Sequence, residues 1–178
     1  DFNLTLEGNP VSSGVPIAVN PGTYTADETQ LSGYTFEGFT GDCDADGDIV
    51  IALGESLTCT LVNNDVAPSL ILQKIVVNDN GGLEIASAWT LYADALFVTG
   101  SETGAKVTDQ VGTYDLTESG PATYTNTSIT CSDNPGVEVT SVSLALGETK
   151  TCTFVNDDNA PALNLVKHVV NDNGGLEI

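Results

Sequence analysis

The chain has no methionine and no arginine, a single histidine and a single tryptophan, and only four lysines against twenty-five acidic residues. The resulting net charge of −21 excludes nucleic acid as a natural partner, repels anionic membrane surfaces and attracts cations. No apolar run reaches the length of about 18 residues that a membrane-spanning helix needs, so membrane insertion is not expected. The first residues lack a basic stretch followed by an apolar one, which reads as a mature or excised chain. No stretch carries the period of a long amphipathic helix, and no nucleophile, metal or cofactor constellation stands out, so no enzyme is expected.

Valine, threonine, isoleucine and leucine are plentiful, and Gly, Asn, Asp and Pro punctuate the chain, the pattern of short strands joined by turns. Sandwich modules need roughly 100 residues each, so 178 residues predict an all-β chain of two antiparallel β-sandwich modules. The four cysteines fall as two pairs, Cys43 with Cys59 and Cys131 with Cys152, and none has a CxxC or Cys/His ligand spacing. Disulfides are therefore expected over zinc, which places the protein in an oxidising compartment, extracellular or at a cell surface.

The sequence repeats itself. The octapeptide NDNGGLEI occupies residues 78–85 and recurs 93 residues later at 171–178. The stretches before it align at the same offset, ALGESLTCTLVNNDVAPSLILQK ending at Lys74 and ALGETKTCTFVNDDNAPALNLVK ending at Lys167. After the first octapeptide, Trp89-Thr90-Leu91 matches Leu4-Thr5-Leu6, which sets Asp1 opposite Ala86 and makes Ile178 continue in register into another Asp1. The expected organisation is a module over 1–67 that lacks its opening strand, a complete module over 68–160, and an orphan opening strand over 161–178. That orphan is expected to complete the first module of another copy, head to tail, either within one continuous polymer or between separate subunits joined by donor strands.

Strand side chains alternate between faces, so the apolar stripe of each strand identifies its inward residues. Leu70, Leu72, Lys74 and Val76 share a face, as do Leu163, Leu165, Lys167 and Val169 in the second copy, with His168 on the opposite, outward side. In a middle strand Glu118 joins Tyr114 and Leu116, matched by Glu28 with Tyr24 and Ala26. In the last strand Asn156 joins Cys152 and Phe154, matched by Asn63 with Cys59 and Leu61. A buried unpaired charge costs several kcal/mol, so a lysine, an acid and an asparagine on inward faces need mutual satisfaction or chemistry. Burial favours the neutral form of an ionisable group, and a neutral amine is a nucleophile that can attack an asparagine carboxamide, expel ammonia and leave an isopeptide bond. A buried Lys–Glu ion pair with Asn as hydrogen-bond partner accounts for the same residues.

The matches LILQK to Lys74, GTYDLTE to Glu118 and TFVN to Asn156 resemble the prealbumin-like, or CnaB-type, domains of bacterial surface proteins and pili. The resemblance implies a transthyretin-like or immunoglobulin-like sandwich of about seven strands with a self-formed isopeptide bond between Lys74 and Asn156, assisted by Glu118. The corresponding set in the other copy is Lys167 with Glu28 and Asn63.

Two further features bear on function. Asp42, Asp44, Asp46 and Asp48 in DCDADGD carry half of a calcium-loop pattern, a weak candidate metal site against an exposed acidic hairpin. Asn3-Leu-Thr and Asn126-Thr-Ser fit the N-glycosylation acceptor. The expected function is a structural repeat of an extracellular fibre, stalk or matrix polymer without a cofactor. The alternative is an adhesin module that binds calcium or glycan through its loops.

Overall fold

In a computed structural model of the chain, residues 2–176 are described, and their strands fall into two β modules. The first contains β1 (Asn3–Leu6), β2 (Asn9–Val11), β3 (Gly22–Thr29), β4 (Tyr34–Gly41), β5 (Asp48–Ile51) and β6 (Cys59–Asp65). The second contains β7 (Ser69–Val77), β8 (Thr90–Ala93), β9 (Leu96–Thr99), β10 (Ala105–Thr108), β11 (Gly112–Ser119), β12 (Tyr124–Cys131), β13 (Ser141–Leu144) and β14 (Thr149–Asp158).

The second module is a sandwich of two four-stranded sheets, ordered β10-β7-β14-β12 and β13-β11-β8-β9. Strand alternation directs Leu70, Leu72, Cys152 and Phe154 of one sheet against Leu91, Ala93, Tyr114, Leu116, Val142 and Leu144 of the other. Each large apolar side chain buried this way contributes about 1.5–3 kcal/mol. Trp89, 1% exposed, meets Tyr124 edge to face with ring centroids 5.2 Å apart.

One pairing departs from the antiparallel expectation. β7 and β14 run parallel over nine residue pairs, from Thr149 opposite Ser69 to Asp157 opposite Val77. Parallel first and last strands send the chain in at one end of the sandwich and out at the other, the geometry that serial modules need.

The first module follows the same plan with one side missing. Its sheet β2-β1-β3-β5 matches β9-β8-β11-β13, but the opposite sheet stops at β4 and β6. Its first hairpin places Leu6 opposite Asn9 across Glu7-Gly8, whose φ of 50° and 73° are the paired positive values of a type I′ turn. No strand among the described residues takes the place of β7 beside β6, and the place of β10 is a loop in which Val15 and Ile17 are exposed. β10 forms its ladder on β7 alone, so without an opening strand its counterpart has no edge to pair with.

One sequence expectation changes. Leu4 lies opposite Glu28 and Leu6 opposite Ala26, whereas Leu91 lies opposite Glu118 and Ala93 opposite Leu116. Leu4 thus takes the place of Leu91 and Phe2 that of Trp89, two residues from the LTL–WTL alignment. A shift of two preserves which face every side chain occupies, so alternation alone cannot choose between these registers. Phe2 accordingly packs edge to face on Tyr34 at 5.2 Å, as Trp89 does on Tyr124. The junction of Ile178 with an Asp1 lies outside the described residues. Residues 160–170 form no strand within the chain, although their sequence predicts one. A strand needs a ladder partner, and both edges of β14, the nearest strand in sequence, are occupied, by β7 and β12.

Candidate functional site

The inward face of β7 carries Lys74 into the core of the second module with no exposure to solvent. Its Nζ donates to Glu118 Oε2 at 2.7 Å and to Asn156 Oδ1, and it lies 4.7 Å from the centre of the Trp89 ring. Lys74 stands opposite Phe154, so Asn156, two residues further along β14, is its diagonal neighbour on the same face. Glu118 reaches across from the other sheet, with 12% of its side chain exposed. The structure therefore brings Lys74, Glu118 and Asn156 together from the first, a middle and the last strand of one module. Burial pushes the Lys74 pKa below the ordinary lysine value, against the opposing hydrogen bond and charge of Glu118. An amine held this way loses its proton more readily, and the basic group in contact with it is the Glu118 carboxylate.

The sequence pattern did not reveal Asn126, which it marked only as a glycosylation triplet. Its Nδ2 donates to Glu118 Oε1 at 3.0 Å and to Asn156 Oδ1 at 3.2 Å, tying the acid to the amide. The register of β12 against β14 shifts between Asn126 and Ser128, a bulge that re-aims the side chain. Its counterpart in the first module, opposite Asn63, is Phe36, so comparison of the copies offered no signal for it.

Asp158 was also unforeseen. Its carboxylate accepts the backbone N–H groups of Asp79 and Asn80 at 3.0 Å each and that of Gly82, gripping the NDNGG turn after β7. Tyr124 Oη completes the clasp, donating to Asn78 Oδ1 at 2.6 Å and accepting from Glu84 N at 3.1 Å. Burial raises the Asp158 pKa, but the N–H groups of Gly82, Asn80 and Asp79 outweigh it and hold the carboxyl below its usual range. The neighbouring Asp157 is pushed up, by burial first and then by the charges of Asp79 and Asp158.

In the first module Glu28 and Asn63 also meet: Asn63 Nδ2 donates to Glu28 Oε1 at 2.7 Å. No lysine joins them, and Asn63 Oδ1 is buried without a hydrogen-bond partner. Lys167 is exposed, on the strandless segment after β14.

Both disulfides are present as the spacing predicts, Cys43–Cys59 and Cys131–Cys152, the latter across directly paired residues of β12 and β14. Asp42, Asp44, Asp46 and Asp48 do not gather into a ligand set. Asp44 Oδ1 accepts the N–H of Asp46 and of Asp48 at 2.9 Å, Asp42 Oδ2 that of Thr58 at 2.8 Å, and Asp48 Oδ1 accepts from Thr25 Oγ1 at 2.6 Å. Asp44 thus closes its own turn, as an Asx turn does, while Asp42 and Asp48 tie that turn to Thr58 and to Thr25 of β3. Among the described residues the acids whose ligand atoms approach within 4.8 Å of one another are instead Asp79, Asp157 and Asp158.

The family model of the prealbumin-like fold domain, of the SpaA type, matches the chain twice, over residues 3–61 and 65–154. The chain belongs to that family. Each match covers one of the two modules, so a prealbumin-like domain occurs here both complete, over β7–β14, and open, over β1–β6. No curated protein matches the chain.

Proposed function

We propose that these prealbumin-like modules are structural repeats of an extracellular fibre, stalk or surface matrix, and that Lys74 and Asn156 become joined by an isopeptide bond. The observation that carries this reading is the contact of Lys74 Nζ with both Glu118 Oε2 and Asn156 Oδ1 inside the core. Glu118 takes a proton from the Lys74 ammonium, and the free amine attacks Asn156 Cγ. The proton then passes to the carboxamide nitrogen, which leaves as ammonia, and the attacking nitrogen gives its second proton back to Glu118 as the amide N–H forms. One C–N bond forms and one breaks, and no oxidant is needed.

The bond would join the two strands through which the chain enters and leaves the module. Parallel β7 and β14 already resist pulling in shear, because a force along the chain loads their whole ladder at once. An isopeptide there would also short-circuit the chain between its ends, a sequence separation of 82, so that stretch could not be drawn out by tension or reached in a transiently opened state. The two disulfides fit an oxidising, extracellular setting.

Intact mass of the reduced protein tests the chemistry. The expected value is lower by one ammonia for the second module, and without that loss for Glu118→Ala and Asn156→Ala. An unshifted mass in the unsubstituted protein, with no peptide linking Lys74 to Asn156, overturns the covalent reading and leaves a buried ion pair.

A further inference from the structure

We infer that the open side of the first module is a docking slot for residues 162–175 of a second copy of this chain, inserted as a strand between β6 and the loop at residues 14–19. The inference rests on the fibre reading above and names the partner that would build the fibre.

Each part of the slot has a filled counterpart in the second module. There β7 lies between β10 and β14, while in the first module β6 has no neighbour on that side among the described residues. An open cleft of about 370 Å³ in the first module is lined by Ala26, Glu28, Phe36, Phe39 and Leu61, while in the second module Leu70, Leu72 and Lys74 of the opening strand are wholly buried. The apolar groups for the occupant are on the same chain and uncovered: Leu163 and Leu165 are 85% and 84% exposed. They align with Leu70 and Leu72, and Lys167 aligns with Lys74.

Polar matching fixes the register. With the pairing of β7 on β14 transferred to β6, Lys167 falls opposite Leu61 and diagonal to Asn63. That brings its ammonium to the buried, unpartnered Oδ1 of Asn63, the atom equivalent to the one Lys74 satisfies in the second module. The turn N–H groups at 172–175 would meet Asp65, the counterpart of Asp158, and Asn171 would meet Tyr34, the counterpart of Tyr124. A loose apolar groove accepts many strands, but a buried orphan acceptor in register with a lysine, followed by a carboxylate in register with a turn, accepts this one.

The same covalent step is open to the docked pair. Lys167 Nζ would give a proton to Glu28 and attack Asn63 Cγ; the carboxamide nitrogen, already 2.7 Å from Glu28 Oε1, would take that proton and leave as ammonia, and the attacking nitrogen would pass its second proton to Glu28. Each such step welds one copy to the next.

The test uses the 1–178 chain in heavy-isotope and ordinary forms, mixed after purification and followed by size-exclusion chromatography with light scattering. Expected are species above the monomer that grow with concentration, and a peptide linking Lys167 of one isotope to Asn63 of the other with ammonia lost. Lys167→Ala should keep the assemblies but make them dissociate in hot denaturant with reductant. Leu163→Asp with Leu165→Asp should remove every species above the monomer. Those substitutions lie outside both folded modules, so failure to fold does not confound them, and the Lys74–Asn156 mass loss in the same monomers reads the proposed function separately. A monomer at all concentrations overturns the inference. So does a Lys167–Asn63 link found only in species of monomer mass, because the slot would then be closed by the chain's own tail.

Discussion

The two modules share a sequence plan, but the first has six strands and the second eight, and the missing opening strand, with the β10 ladder it would carry, divides a packed sandwich from an open one. In the second module fourteen apolar residues, from Leu70 to Phe154, are buried; in the first, among the described residues, only Ala26 is. The sheets β2-β1-β3-β5 and β9-β8-β11-β13 are closely alike, so the difference does not arise in local strand formation. It arises because β7 supplies three things at once: a wall for the core, a ladder for β10, and the lysine that satisfies Glu118 and Asn156. Removing one strand from such a fold removes an inner face, and burial falls throughout the module.

The largest expected contrast is between Lys74 and Lys167. Lys74→Ala strips a buried acid and amide of their partner and should destabilise the second module by about 3–5 kcal/mol in urea titration, before any loss of a covalent bond. Lys167→Ala in dilute monomer should change stability by less than about 0.5 kcal/mol, since it is an exposed residue outside either module. Equal effects from the two would erase the distinction between filled and empty sites.

Next come the disulfides. Loops of 16 and 21 residues should each contribute about 3 kcal/mol by restricting the unfolded chain. The paired Cys→Ala substitutions should nevertheless cost more at Cys131–Cys152, because Cys152 is wholly buried against the core whereas Cys43 and Cys59 are half-buried. Denaturant midpoints of the two double variants decide it.

A smaller contrast separates the tyrosines. Tyr124→Phe removes the hydroxyl that holds Asn78 and Glu84 and should cost about 1 kcal/mol, with faster amide exchange at Glu84. Tyr34→Phe should be silent in the monomer and weaken only the assembled form.

The smallest effect is a gain. The first module carries Asn64 where the second has Asp157, whose carboxyl is raised above its usual pKa by burial and acidic neighbours. A raised acid pKa means that the folded state holds its proton more tightly than the unfolded one. It therefore lowers stability at neutral pH, and the loss disappears as pH falls below the ordinary carboxylate value of 3.8. Asp157→Asn should raise the thermal midpoint at pH 7 and leave it unchanged in strong acid; a lowered midpoint at pH 7 would refute the assignment.

Much of this was legible in the sequence because a repeat reports on itself. The NDNGGLEI recurrence located the modules, and period-two alternation placed Lys74, Glu118 and Asn156 on inward faces, since the side-chain period of a strand does not depend on its surroundings. The cysteine spacing predicted both disulfides. Alternation does not encode register, so the alignment of Leu4 with Trp89 missed by two residues what the pairing of β1 with β3 decides. Asn126 reached the site through a bulge, and Asp158 found its partners in a turn about 80 residues away, at backbone N–H groups that carry no residue identity. The sequence by itself determined the module plan, the inward faces and the cysteine pairs, because each follows from local periodicity or from comparison of one copy with the other. The tertiary structure alone decided which strands become neighbours, and with that which polar groups are satisfied. A ladder bond and a buried ion pair both require two distant segments to meet, and so Asn156 Oδ1 has its lysine while Asn63 Oδ1 stands without one.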